Sequence, residues 1–85
     1  MNITLRFFAS VRETLGASQE TTTLPPDVTT VGAVRTHLAA RGGVWAEALA
    51  PERALRMAYN QVMCDAQTDI ADGGEVAFFP PVTGG

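Results

Sequence analysis

The residues with the clearest chemical use stand at the end of the sequence, Val82-Thr83-Gly84-Gly85, reached through Phe78-Phe79-Pro80-Pro81. A Gly-Gly terminus presents a carboxylate with no side chain around it, and glycine tolerates conformations and close approaches that other residues refuse. Pro80 and Pro81 each hold φ at about −65°. The expectation is therefore a stiff, aimed base and a flexible tip over residues 82–85. Such a tip can thread a narrow channel and present its last carbonyl to a reagent on another protein. Chain ends often fray without purpose, and the proline pair is what sets this one apart.

The other reactive side chains offer less. His37 is the one histidine and lies on a predicted helix with no second ligand spaced from it. Cys64 is the one cysteine, which excludes an internal disulfide and any Cys-Cys metal or redox motif. Asp65, Asp69, Asp72 and Glu75 form a loose acidic stretch without the spacing of a calcium loop. No glycine-rich segment has phosphate-cradling spacing. No metal site is expected, and the weight of any chemistry returns to the terminus.

Composition narrows the classes further. Eighty-five residues make one small domain, residues 1–85, with a single core. The formal charge of −3 argues against a nucleic-acid partner, which would require a basic stripe. No apolar run approaches the ~20 residues needed to cross a bilayer, and no signal segment opens the sequence. With a lone cysteine, the chain is expected to be cytoplasmic. Its six basic residues are all arginines. Without lysine it cannot be joined to copies of itself through internal lysine side chains.

These elements must position the tail. Ile3, Leu5 and Phe7 alternate with Thr4, Arg6 and Phe8, the period of a strand with one buried face. Ser10 to Gly16 reads as a short helical turn closed by glycine, and the threonine-rich Gln19 to Leu24 as a second strand paired with the first. Thr30 caps the main helix, with Val31, Val34, Leu38 and Ala39 on one face and Gly42-Gly43 as the stop. A short helix over Val44 to Ala50 carries Trp45 and Leu49 on one side. Leu55, Met57 and Tyr59 mark a third strand, and Asn60-Gln61 turns into a brief strand at Val62 and Met63. Asp72-Gly73-Gly74 is a turn, and Glu75 to Phe79 is the last strand. One amphipathic helix needs one apolar sheet face to cover. The pattern predicts an α+β domain of the β-grasp type, as in ubiquitin: a mixed four- to five-stranded sheet under one main helix. The first and last strands, being the most apolar, should lie side by side in its middle.

The aromatic residues add a constraint. Phe78 and Phe79 are adjacent in one strand, so only one can face the core. With Phe8 on the polar side of its own alternation, aromatic surface is left outside the core near the tail, as expected of a partner site. The competing reading is a second hydrophobic cluster covered by the segment from Ser10 to Gly16.

Two segments carry a specific resemblance. Arg6-Phe7-Phe8-Ala9-Ser10-Val11-Arg12-Glu13 and Asp72-Gly73-Gly74-Glu75-Val76-Ala77-Phe78-Phe79-Pro80-Pro81-Val82-Thr83-Gly84-Gly85 resemble the small, sulfur-carrying subunits of molybdopterin synthase. The likeness extends over the whole chain, with Thr30-Val31 opening the helix and Tyr59-Asn60-Gln61 in the middle. One departure is Gly74, where the family commonly has an aspartate.

The resemblance implies a sulfur carrier in molybdenum-cofactor synthesis. An adenylating enzyme similar to the ubiquitin-activating enzymes would use ATP to convert the carboxylate of Gly85 into an acyl adenylate. Sulfur from a donor protein would then give a thiocarboxylate. Val82, Thr83 and Gly84 would thread into the synthase large subunit, in an expected heterotetramer, and the sulfur would attack cyclic pyranopterin monophosphate. Phe8, Arg12, Phe79, Pro80 and Pro81 would contact the partners. The chain would bind no cofactor itself and serve as a non-catalytic subunit. A sulfur carrier for thiamine or another thio-metabolite shares the fold and the Gly-Gly end, and so does a protein modifier. Phe78-Phe79-Pro80-Pro81 and the segment around Trp45 favour the molybdenum branch.

Overall fold

The structure, a computed structural model, describes residues 1–81. Five strands and three helices follow in the order β1 (Asn2–Phe7), α1 (Ala9–Leu15), β2 (Gln19–Thr23), α2 (Val31–Ala39), α3 (Gly43–Ala48), β3 (Arg56–Tyr59), β4 (Val62–Cys64) and β5 (Glu75–Phe79). They form one mixed sheet with strand order β2-β1-β5-β3-β4. The β1–β5 pair is parallel and the other pairs are antiparallel. This is the β-grasp arrangement that the pattern implies, with the first and last strands adjacent and β5 at the centre.

The alternation in β1 is realised residue by residue. Ile3, Leu5 and Phe7 are fully buried, and Val76 and Phe78 of β5 join them under the helices. Phe7 stacks on Phe78 with ring centroids 6.5 Å apart, and Trp45 of α3 meets Phe7 edge-on at 5.6 Å. Val31, Val34 and Leu38 from α2, Val11 from α1 and Leu49 after α3 close the core. Instead of one helix covering the face, the nine-residue α2 shares the task with two shorter helices.

Local chemistry sets the helix ends. Thr30 Oγ1 accepts the Ala33 N–H at 3.1 Å, the cap the sequence implies. Gly42-Gly43 does not stop α2, which ends at Ala39 with Ala40 still in a right-handed conformation. Gly42, at φ 79°, is instead the residue that opens α3, so the glycines serve the reversal between two helices. Arg35 of α2 clasps the segment that follows α3: its Nε donates to the Leu49 carbonyl at 3.0 Å and its guanidinium also reaches the carbonyls of Ala50 and Arg53. Burial lowers the Arg35 pKa, and Glu52 opposes that shift. Arg41 joins Glu20 of β2 in a two-pronged ion pair at 2.6 and 3.0 Å while covering the Trp45 ring at 4.4 Å. The hydrogen bond to Glu20 raises the Arg41 pKa.

The Gly74 departure has a steric cause. A Cβ at this buried position would lie 2.6 Å from the Tyr59 ring. Tyr59 Oη accepts the Ala71 N–H at 2.8 Å, so the ring occupies the space a side chain at 74 would take. Among the described residues no helix is long and apolar enough to cross a membrane.

Candidate docking face at the base of the tail

Parallel pairing of β1 with β5 decides what surrounds the end of the last strand. Phe7 is opposite Phe78, and the Phe8 N–H donates to the Phe78 carbonyl at 3.4 Å. Phe8 and Phe79 therefore come level on the face turned away from the helices. Their rings meet edge-to-face with centroids 6.3 Å apart. Phe8 is 41% exposed, while Phe78, one residue from Phe79, is wholly buried. The choice left open by the sequence is thus decided: Val76 and Phe78 face in, Phe79 faces out. Helix α1 does not cover the pair, because it spends Val11 on the core instead.

The surface around the two rings is continuous. Ala77 of β5 and Ala58 of β3 lie opposite each other between Arg6 and Met63 in one cross-strand row. These alanines form a smooth floor beside the rings. Met63 of β4 extends it with 57% exposure. Arg6 lies over the Phe8 ring at 5.5 Å and keeps a long ion pair with Glu75 at 3.8 Å. Arg56 stands opposite Phe79 on β3.

Of the sequence-predicted site residues, Phe8, Phe79, Pro80 and Pro81 are brought together at this end of the sheet, with both prolines half-buried. Arg12 is exposed one turn along α1 from Phe8, whose carbonyl accepts its N–H. Val82, Thr83, Gly84 and Gly85 lie outside the described residues. The sequence reading missed Arg6, Ala77, Arg56, Ala58 and Met63. Arg6 and Ala77 were within reach of it, being two residues before Phe8 and Phe79 and so on the same faces. The others depend on which strand neighbours β5, which local pattern does not state.

The remaining reactive residues do not assemble. Cys64 is half-buried at the end of β4, opposite Met57, with no disulfide partner. His37 lies on α2 beside a shallow concavity with Asp27, Thr36 and Ala40. The acidic stretch is dispersed. Asp65 accepts the Gln67 N–H at 2.9 Å, Asp72 accepts the Asn2 N–H at 2.6 Å, and Glu75 pairs with Arg6. Among the described residues no group of histidine, cysteine and carboxylate side chains could hold a metal. The face has the composition of a docking surface: apolar at its centre and cationic at its margin.

Comparison with known proteins identifies the family and supports the fold. The model of the ThiS family matches residues 5–85. The chain is 46% identical over 83 residues to the molybdopterin synthase sulfur carrier subunit of Escherichia coli K12, covering 98% of this chain and 99% of that protein. It is 44% identical over 79 residues to the protein of the same name from Haemophilus influenzae, covering 93% and 94%. Crystalline SAMP1 from Haloferax volcanii superposes with a TM-score of 0.76 at 23% identity over the full length of both chains. A chain from the complex of subunits 1 and 2 of the Helicobacter pylori molybdopterin-converting factor superposes at 0.68 with 21% identity, also over both full lengths.

Proposed function

The chain belongs to the ThiS family, and from that premise we propose that it is the sulfur carrier of a molybdopterin synthase. Near-full-length identity of 46% to a protein of that name supports the reading. The outward-facing Phe8–Phe79 pair, with Phe8 exposed and Phe79 half-buried, is the structural observation that carries it.

A carboxylate is a poor electrophile, so the terminus must first gain a leaving group. The Gly85 carboxylate attacks the α-phosphorus of ATP on an adenylating enzyme, releasing pyrophosphate and forming an acyl adenylate. Sulfur from a donor protein then displaces AMP, and the chain end becomes a thiocarboxylate. That group is a soft, largely ionised nucleophile. The Phe8–Phe79 face docks on the large subunit, as subunits 1 and 2 of the H. pylori factor form a complex. Val82, Thr83 and Gly84 carry the sulfur to cyclic pyranopterin monophosphate in the partner's pocket, and two transfers complete the dithiolene. The carrier binds no cofactor of its own. Acid–base groups and the substrate pocket belong to the partner.

Intact-mass analysis tests this directly. After incubation with the activating enzyme, ATP and a sulfur donor, the C-terminal fragment should gain the mass of one oxygen-to-sulfur exchange. A variant lacking Gly85 should gain none and support no molybdopterin formation. If that variant is sulfurated and productive, the sulfur resides elsewhere. The partner that co-purifies from native cells separates the neighbouring roles: a pterin-binding subunit, a thiazole-forming enzyme, or a ladder of covalent adducts.

A further inference from the structure

A cationic contact on a partner has to come from one of six arginines, because the chain contains no lysine. Four of the six are engaged within the fold. Arg35 holds three carbonyls, Arg41 holds Glu20, Arg53 lies 4.0 Å from Glu47, and Arg6 pairs with Glu75 above the Phe8 ring. Arg12 and Arg56 are both exposed and have no ion pair among the described residues. Both flank the aromatic pair. Arg12 follows Phe8 by one turn of α1, and Arg56 is the cross-strand partner of Phe79 on β3.

Resting on the docking reading above, we infer that Arg56 is a second specificity-determining contact, placed across the aromatic pair from Arg12. The matching surface is an apolar recess with carboxylates on both sides. Charge distribution carries the argument. The chain as a whole is net −3, so an acidic partner is repelled by most of its surface and attracted only where unpaired cations gather. Nearby carboxylates make no ion pair with Arg56 among the described residues: Asp65, just past β4, keeps its charge but accepts the Gln67 N–H, and Glu75 is committed to Arg6. Phe79 lies directly beside Arg56 and the Ala58–Ala77 floor next to it, so a partner seated on the rings necessarily excludes water there. In that setting a matched carboxylate gains strength, and a neutral or cationic residue leaves Arg56 unpaired.

The test is association kinetics with the large synthase subunit encoded in the same genome, measured for Arg56→Glu, Arg56→Lys and Phe79→Ala. At about 50 mM salt, Arg56→Glu should slow association by on the order of tenfold or more. Raising salt to about 0.5 M should bring it close to wild type. Arg56→Lys, which keeps the charge, should retain most of the rate. Unfolding midpoints should coincide, since Arg56 buries nothing in the core. An unchanged rate for a folded Arg56→Glu protein, or a loss independent of salt, would overturn the role of Arg56. If Phe79→Ala binds normally as well, the docking reading itself falls; if only Phe79→Ala weakens binding, that reading stands without Arg56.

Discussion

Two adjacent phenylalanines take opposite faces of the sheet, one in the core and one on the proposed docking face. Phe78 is wholly buried against Phe7, while Phe79 turns outward to Phe8. The physical difference is only the strand period, which sends neighbouring side chains to opposite faces. Replacement by alanine should therefore separate the two properties. Phe78→Ala should lower unfolding stability by about 3–5 kcal/mol, the range for emptying a core aromatic site. In urea titration Phe79→Ala should remain close to wild type. Calorimetry with the large subunit should show it losing about 2 kcal/mol or more of binding energy, as for an interface anchor. Equal effects of the two substitutions on stability would contradict the assignment of faces.

Elements are held to one another by a few arginines in place of a larger core. The segment that follows α3 turns the carbonyls of Leu49, Ala50 and Arg53 toward α2, and Arg35 donates to all three with one planar group. Removing it leaves half-buried acceptors that water reaches only in part. Arg35→Met should lower unfolding stability by about 1–2 kcal/mol. Arg41→Gln breaks a more exposed pair with Glu20 and should cost below about 1 kcal/mol. Denaturant titration of both variants ranks them. If Arg41→Gln proves the more damaging, Arg35 is not the clasp of this corner. The anchoring matters to the docking face indirectly, because Trp45 of α3 packs on Phe7, the residue preceding Phe8.

On the scale of the whole molecule, folding should be separable from the proposed sulfur carriage. Among the described residues, every core residue lies between Ile3 and Phe78. Deleting Gly85 should leave the unfolding free energy within about 0.5 kcal/mol of wild type, as for a surface change away from structural features. Adding one residue after Gly85 should preserve stability equally well. It should still reduce product formation by about 100-fold or more, since small misplacement of a reacting group is that costly. Thermal denaturation beside a molybdopterin assay checks both statements. A terminal deletion that destabilised the protein would tie the tail to the fold.

Much of this was legible in the sequence because it depends on short-range periodicity. Ile3, Leu5 and Phe7 announce a half-buried strand, Thr30 announces a cap, and Asp72-Gly73-Gly74 announces a turn. Each is set by neighbours within a few residues. The Gly84-Gly85 end and the Phe-Phe-Pro-Pro approach to it are likewise sequence facts, and the proposed chemistry rests on them. Tertiary structure decided what no local window contains. Which of Phe78 and Phe79 faces out depends on which side of the sheet α2 covers. The use of Gly42 to open α3 depends on where that helix packs. The requirement for glycine at 74 comes from Tyr59, fifteen positions away in sequence and brought close by the β3–β5 pairing. Arg56 becomes part of the docking face through the same pairing. Long-range strand register creates these neighbours, and register is a property of the assembled sheet rather than of any one segment.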